Sequence, residues 1–215
     1  MRIPGLTGLL ALAFLYATHA TLNGHDVWRR ALSAKPTAGP TVQAVRCGRE
    51  IANLAALDGA PMILLGELHG FEAVPAFAVD LACRMATAGK PVMLALEIPR
   101  QEQDRIDAFL ASKGDPTNEA ALLAGEFWRR PFQDGRSSRA RLALLEAVRA
   151  FRAKGVRIRV VAVDDAAVPG PARDEAMASG LLAARRPGEI AVLLAGDLHA
   201  IPRRRSVDVP GQFAE

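Results

Sequence analysis

Two stretches of the sequence decide the fold: residues 62–69 read Met-Ile-Leu-Leu-Gly-Glu-Leu-His, and residues 190–199 read Ile-Ala-Val-Leu-Leu-Ala-Gly-Asp-Leu-His. Each is a short apolar run that ends in glycine, a carboxylate, leucine and histidine. Such a run is typical of a strand buried on both faces of a parallel sheet. Residues two positions apart in an extended chain lie on the same side. If the chain stays extended there, we expect the carboxylate and the imidazole of each copy to lie on the same side.

Helical segments separate the strands along the chain. Besides these two runs, residues 92–96 and 156–163 are predicted as strands. Apolar spacing of three and four residues predicts helices over residues 42–57, 71–88, 101–112, 139–154 and 173–184. The stretch from 115 to 138 is predicted to be irregular. Alternating strands and helices indicate a single-domain α/β fold, with a mainly parallel sheet and helices on both of its faces.

The carboxyl ends of the predicted strands carry most of the polar side chains suited to chemistry. Right-handed crossovers place these ends along one edge, where ligands bind in open α/β sheets. The residues collected there are Glu67, His69, Glu97, Asp164, Asp165, Asp197 and His199. A lone strand-end histidine is commonly a hydrogen-bonded structural residue, and the two adjacent aspartates also suit helix N-caps. Two equivalent histidine copies on one edge favour a functional site.

The N-terminus has the layout of a secretory signal peptide. A basic Arg2 precedes an apolar core over residues 6–16, and small residues suit cleavage near Ala20. The core is short for a membrane span, and an uncleaved anchor is the alternative. We therefore expect a secreted or periplasmic protein with no stable membrane span after signal removal. Residues 21–41 are an irregular lead-in to one α/β domain over residues 42–215.

Composition narrows the class of protein. The chain of 215 residues has a net charge of +4 and 50% hydrophobic residues, as is typical of a globular protein. No nucleic-acid motif or interleaved aromatic residues accompany the basic cluster at residues 203–205, so we expect no nucleic-acid partner. An oxidising compartment would allow the two cysteines, Cys47 and Cys83, to pair. Two buried free thiols are the alternative.

Imidazole and carboxylate side chains together suit divalent manganese, iron, cobalt or zinc. We predict a metal site formed by Glu67, His69, Glu97 and His199, with Asp197 as a further candidate ligand. The metal would lower the pKa of a bound water and polarise a carbonyl group. Without a metal, one histidine would act as the general base and a carboxylate would orient it.

Arg136 lies in a loop that is long enough to fold over this edge. Its guanidinium is predicted to bind a carboxylate or phosphate of the substrate. Asp134-Gly135 is a turn signal by itself, so an exposed Arg136 without a role is the alternative.

The two motif copies resemble the ChaN, Tiki/TraB and erythromycin esterase superfamily. The resemblance covers about residues 60–200 and is carried by residues 65–70, 95–97 and 195–199. It implies an EreA/ChaN-like α/β fold and maps the family's site positions onto Gly66, Glu67, His69, Glu97, Gly196 and His199. The nearest branch is the ChaN-like one, exported bacterial proteins described as haem-binding or of unknown activity. Tiki-type relatives are metal-dependent proteases, and erythromycin esterases open a macrolactone.

Two features depart from the family pattern. Asp197 stands where the family often has a neutral residue, which changes the charge balance or the metal preference. The chain also ends soon after His199, where relatives continue with further secondary structure. We therefore expect either a differently closed sheet or a shortened protein with impaired activity.

The hypothesis is an exported hydrolase that cleaves an ester or amide bond of a small-molecule or peptide substrate with help from a metal. The alternative is a haem-binding, iron-uptake protein of the ChaN type without hydrolase activity. The single tyrosine, Tyr16, is lost with the signal peptide. This excludes a tyrosine ligand for haem in the mature form, whereas His25, His69 or His199 could serve as the axial ligand. A degenerate member without activity is the third reading, and the sequence indicates no oligomeric state.

Overall fold

The computed structural model describes residues 45–165 and 167–200. The chain divides into two units, Met1–Thr41 and Val42–Glu215, and all described residues belong to the second unit. The predicted signal peptide and the lead-in lie outside the described residues. Within the two described ranges, no helix is both long and apolar enough to cross a bilayer.

Four strands form one parallel sheet. They are β1 (Met62–Glu67), β2 (Val92–Pro99), β3 (Ile158–Asp164) and β4 (Ile190–Gly196). Their order across the sheet is β1-β4-β2-β3, so β4 runs between β1 and β2 and places Gly196 beside Glu67. Because all four strands run in the same direction, their carboxyl ends share one edge. The predicted α/β fold with a parallel sheet is confirmed.

Helices fill the connections between the strands. They are α1 (Ala73–Thr87), α2 (Gln103–Ala111), α3 (Pro116–Leu123), α4 (Glu126–Arg129), α5 (Arg139–Ala153), α6 (Pro171–Ala184) and α7 (Asp197–Ala200). Single turns of 3-10 helix span Leu54–Leu57 and Arg100–Glu102. The predicted helices after β1, after β2, before β3 and after β3 correspond to α1, α2, α5 and α6.

Strand side chains alternate between two apolar layers. On β2, Leu94 and Leu96 belong to a large cluster with residues of α1, α2 and α5. Met93 and Ala95 belong to a smaller cluster on the opposite face, which Leu181 of α6 covers. Burial on both faces explains why the strands read as continuous apolar runs.

The helix predicted before β1 is wrong in its described part. Only Leu54–Leu57 forms a helical turn there. A disulfide between Cys47 and Cys83 ties the preceding segment to α1, and Arg84 donates hydrogen bonds to the Arg49 carbonyl. These tertiary contacts use backbone groups that a helix would need, so they outweigh local helix propensity. The disulfide also decides between the two alternatives for the cysteines.

The stretch between α2 and α5, predicted to be irregular, contains two helices. Asp115 and Asn118 form a reciprocal capping box, in which each side chain accepts a hydrogen bond from the other's backbone N–H. This cap, with Pro116 at the first helical position, begins α3 without a strong apolar stripe. Apolar spacing missed α3 because Leu122 is the one residue that it buries.

Candidate functional site

Glu97 is the centre of a polar cluster at the carboxyl edge of the sheet. It lies where the pairing of β2 with β3 becomes irregular, and its side chain is 1% exposed. Its Oε1 accepts hydrogen bonds from Arg136 Nη1 at 3.0 Å and from Arg173 Nη2 at 2.9 Å. Its Oε2 accepts one from the backbone N–H of Gly196 at 2.7 Å. Donors from three parts of the chain therefore fix this carboxylate.

The first motif copy forms the expected carboxylate–imidazole pair. Glu67 ends β1, and its Oε1 lies 3.1 Å from Nδ1 of His69. Gly70 follows at a φ of 88°, a backbone conformation that favours glycine and turns the chain away from the strand. The other imidazole nitrogen, Nε2, lies 3.6 Å from Oε2 of Glu97. His69 therefore lies between two carboxylates.

The second motif copy forms a different local structure. The chain enters α7 at Asp197, and residues two apart on a helix are separated by about 200°. The chain is therefore not extended there, and the condition for Asp197 and His199 to lie on the same side is not met. Asp197 is exposed and accepts a hydrogen bond from the N–H of Leu198 at 2.7 Å. Instead, Oδ1 of Asp174 on α6 lies 2.5 Å from Nδ1 of His199.

Both histidines meet at Glu97, as the single-site prediction requires. His199 Nε2 lies 3.8 Å from Oε1 of Glu97, whereas His69 faces the other carboxylate oxygen, Oε2. The histidine side chains are 23% and 22% exposed, whereas Glu67 and Glu97 are 2% and 1% exposed. Solvent therefore reaches the imidazoles, while the protein covers the two glutamates.

Close approach explains glycine at two positions around His69. A β-carbon on Gly196 would lie 3.0 Å from His69 Nε2 and 3.5 Å from Glu97 Oε2. A β-carbon on Gly135, which has a φ of 88°, would lie 2.6 Å from the carbonyl carbon of His69. A larger residue at position 196 would press on the imidazole, and one at position 135 would press on the backbone of His69.

A second layer of ion pairs surrounds Glu97. The carboxylate of Asp164, which is fully buried, accepts from Arg136 Nη1 at 2.9 Å and from Arg173 Nε at 2.7 Å. On its far side Arg136 donates from Nε to Asp134 at 2.9 Å. Three carboxylates thus bind Arg136, so its predicted role as a substrate ligand stays a prediction.

The pKa shifts in this layer follow from these contacts. Burial acts to lower the pKa of Arg136, but Asp134 and Glu97 outweigh it and raise that pKa. The hydrogen bond to Asp164 is the main cause of the raised pKa of Arg173. Burial acts to raise the pKa of Asp134, but hydrogen bonds from Arg136 outweigh it and lower that pKa to about 2. Ion pairs within this layer therefore stabilise the charged forms of these side chains and outweigh the loss of solvent.

Sequence reasoning missed three members of the cluster: Arg141, Arg173 and Asp174. The last two lie in the first turn of α6, just beyond the carboxyl end of β3. The edge rule that selected the strand ends would have found them had it included the following helix. Arg141 stands among buried apolar residues of α5, where an arginine is unusual. In contrast, among the described residues Asp165 pairs with Arg100 at 3.8 Å and with no member of the cluster.

The described residues fit a divalent metal ion poorly. In the part of the chain that the structure describes, no group of three or more His, Cys, Asp or Glu side chains is arranged to hold one. Arg136 and Arg173 already bind Glu97, and Arg141 donates to Glu67 Oε1 at 2.5 Å. Guanidinium groups at these oxygens repel a further cation. The predicted metal site therefore stays a prediction.

Comparisons with known proteins assign no family. No family model and no curated protein matches the chain. A solved structure described as "Bacterial protein toxins" is 20% identical with a TM-score of 0.44, over 66% of this chain and 29% of that one. Another, described as revealing a thiol-protease like catalytic triad in the C-terminal region of Pasteurella multocida toxin, is 16% identical with a TM-score of 0.44, over 66% of this chain and 20% of that one. The chain spans less than a third of either protein, and likeness at this level carries no argument about function.

Proposed function

We propose that this protein is an exported hydrolase that cleaves an ester or amide bond at the carboxyl edge of its sheet. One observation carries the proposal: two histidine–carboxylate pairs share a third carboxylate. Nδ1 of His69 contacts Glu67 and Nδ1 of His199 contacts Asp174, while the Nε2 atoms lie 3.6 Å and 3.8 Å from Glu97. A carboxylate at Nδ1 fixes the tautomer of an imidazole and leaves Nε2 for proton transfer.

His69 is the better general base of the two histidines. The side chain of its partner Glu67 is 2% exposed, whereas that of Asp174 is 29% exposed, so the first pair is held more rigidly. In the proposed reaction, Nε2 of His69 takes a proton from a water molecule, and the water oxygen forms a bond to the carbonyl carbon. Proton transfer of this kind contributes about 10²–10⁴-fold to the rate.

His199 then acts as the general acid. Its protonated Nε2 gives a proton to the leaving oxygen or nitrogen as the C–O or C–N bond breaks. After this step His69 carries the proton that His199 has lost. Both imidazoles are partly exposed, so His69 releases this proton to water and His199 takes one up from water, which restores the starting state. Arg136 holds the Glu97 carboxylate in place throughout the cycle.

The motif resemblance supports hydrolysis and leaves two versions to be tested. In the metal-assisted version, Glu67, His69, Glu97 and His199 would hold manganese, iron, cobalt or zinc, which would supply Lewis-acid polarisation of a carbonyl group. The geometry favours the metal-free version, because arginine side chains occupy the carboxylate oxygens. Haem binding through one of the histidines is the alternative function that the resemblance implies.

The disulfide supports the proposed export. Disulfides persist in secreted and periplasmic proteins and are rare in the cytosol, and Cys47 is paired with Cys83. Together with the predicted signal peptide, this supports a secreted or periplasmic location. N-terminal sequencing of protein from the extracytoplasmic fraction should give a start near Thr21, and an intact Met1 in cytosolic protein would contradict export.

A panel of chromogenic esters and short peptides tests the reaction. The mature protein should hydrolyse at least one class, and His69→Ala or His199→Ala should each lower kcat/KM about 100-fold or more. Asp165→Asn is the matched control, since Asp165 adjoins the cluster in sequence but pairs with Arg100. This control should keep the activity of the wild type within about twofold.

Chelation distinguishes the metal-assisted reaction from the metal-free one, and haem titration tests the alternative function. Activity that survives EDTA supports the metal-free version, whereas loss on chelation and recovery with manganese, iron, cobalt or zinc supports the metal-assisted one. The proposal fails if no substrate is hydrolysed and haem binds stoichiometrically with a Soret band that is lost in His199→Ala.

A further inference from the structure

Arg141 is a buried cation at the back of the first histidine–carboxylate pair. Its side chain is 1% exposed, and it lies in α5 near the buried residues Leu144, Leu145 and Val148. Its Nη2 donates to Oε1 of Glu67 at 2.5 Å. Burial lowers the pKa of Arg141, while the charge of Glu67 opposes this shift.

Stability does not account for this ion pair. Burying an arginine and a glutamate removes both charges from water, and replacing a buried pair by apolar residues is often neutral or stabilising. The pair is also incompletely satisfied: among the described residues, Nε and Nη1 of Arg141 and Oε2 of Glu67 are buried and have no hydrogen-bond partner. A role in the site explains the position of the pair better than a contribution to the core.

The contacts show what that role is. Oε1 of Glu67 is the oxygen that binds Arg141, and the same oxygen contacts Nδ1 of His69 at 3.1 Å. The guanidinium therefore holds the acceptor that the imidazole uses. The backbone of Arg141 is fixed at the start of α5, because its N–H donates to the N-cap hydroxyl of Ser138 at 3.4 Å.

We infer that Arg141 is a positioning residue that fixes Glu67 and, through it, the tautomer and ring orientation of His69. Its guanidinium keeps Oε1 aimed at Nδ1, so that the proton of the neutral imidazole stays on Nδ1 and Nε2 faces Glu97. This inference rests on the proposed function only for its effect on turnover. The state of the imidazole can be measured without any substrate.

The experiment uses the full mature chain with ¹⁵N-labelled histidine. The variants are Arg141→Met, which removes the charge at similar length, and Arg141→Lys, which keeps it. Arg149→Met is the matched control on the same helix, since Arg149 donates to the carbonyl of Lys113 and does not contact the pair. The imidazole ¹⁵N shifts of His69 report which ring nitrogen carries the proton.

The wild type, Arg149→Met and Arg141→Lys should show His69 as the Nδ1–H tautomer, and Arg141→Met should show a mixture of both. With a hydrolysed substrate, Arg141→Met should lower kcat about 100-fold with KM within about twofold, and Arg141→Lys should recover most of the loss. Should Arg141→Met fail to fold, Arg141→Gln takes its place with the same expectation.

An unchanged tautomer in a folded Arg141→Met or Arg141→Gln protein would overturn the inference, whatever the activity. The expected change of tautomer in a protein that hydrolyses nothing would support the positioning role of Arg141 and count against the proposed function. The two failures are therefore distinguishable.

Discussion

The two motif copies have the same pattern and different structures. In the first copy, Glu67 ends β1, and His69 lies in the turn that follows and contacts it. In the second, the chain enters α7 directly after Gly196, and the carboxylate partner of His199 comes from α6. A pattern of four residues therefore does not determine which carboxylate orients its histidine.

The two carboxylates that contact Nδ1 of the histidines differ in their surroundings. Buried Arg141 holds the first carboxylate, whereas the second, Asp174, is 29% exposed. An exposed ion pair contributes little to stability because water screens it, while a buried charge that loses its partner is costly. Replacing either carboxylate should therefore lower kcat/KM, whereas the free energy of unfolding should fall more when Glu67 is replaced than when Asp174 is replaced.

The largest effect is expected from the carboxylate that both copies share. Glu97→Gln should lower kcat/KM about 10³-fold or more, because it removes the charge that lies beside both Nε2 atoms. Glu189→Gln is the control, since Glu189 is a mostly buried carboxylate paired with Arg159 just before β4, at the other end of the sheet. The control should keep its activity. Equal losses in both variants would show that Glu97 serves the fold and not the reaction.

The next prediction compares the two pairs directly. Glu67→Gln should lower the free energy of unfolding by about 3 kcal/mol, because it leaves Arg141 buried without its partner charge. Asp174→Asn should lower it by less than about 1 kcal/mol. Urea denaturation measures both values, and kcat/KM should fall in both variants. Similar stability losses would contradict the assignment of a rigid first pair and a screened second pair.

The loop behind the first copy should make stability depend on pH. Hydrogen bonds from Arg136 lower the pKa of Asp134 from 3.8 to about 2 in the folded chain, against the effect of burial. A carboxylate whose pKa is lower in the folded state stabilises the fold at pH values above its unfolded-state pKa. That contribution is lost as the pH falls from about 4 to 2. Asp134→Asn should be about 1 kcal/mol less stable than the wild type at pH 6, because water screens part of the interaction, and this difference should shrink below pH 4. A constant difference over that range, in urea denaturation, would refute the linkage.

The smallest effect is expected at the carboxylate of the second copy itself. Asp197→Asn should change kcat/KM by less than about twofold and the free energy of unfolding by about 0.5 kcal/mol or less, because Asp197 is exposed and bonds to the N–H of Leu198. Steady-state kinetics and thermal denaturation check both values. A loss comparable to that of Asp174→Asn would mean that the second copy works in the same way as the first.

The strands and much of the site could be predicted because their signals are local. Apolar runs bury both faces of each strand, so they identify the parallel sheet without any knowledge of its neighbours. The edge rule then brings together residues as distant as His69 and His199, since parallel strands end on one side. The pair of Glu67 with His69 was expected from their spacing of two residues, although His69 lies in the turn that follows β1.

The sequence by itself therefore determined the parallel α/β fold, the edge that carries the candidate site, and the meeting of two histidines with Glu97 at that edge. Only the tertiary structure decided the partners: Asp174 for His199, Arg141 for Glu67, and Cys83 for Cys47. Each partner lies on a helix whose rotation and register depend on how it packs against the sheet. Such packing is set by many weak contacts between residues far apart in sequence, and no short pattern encodes it.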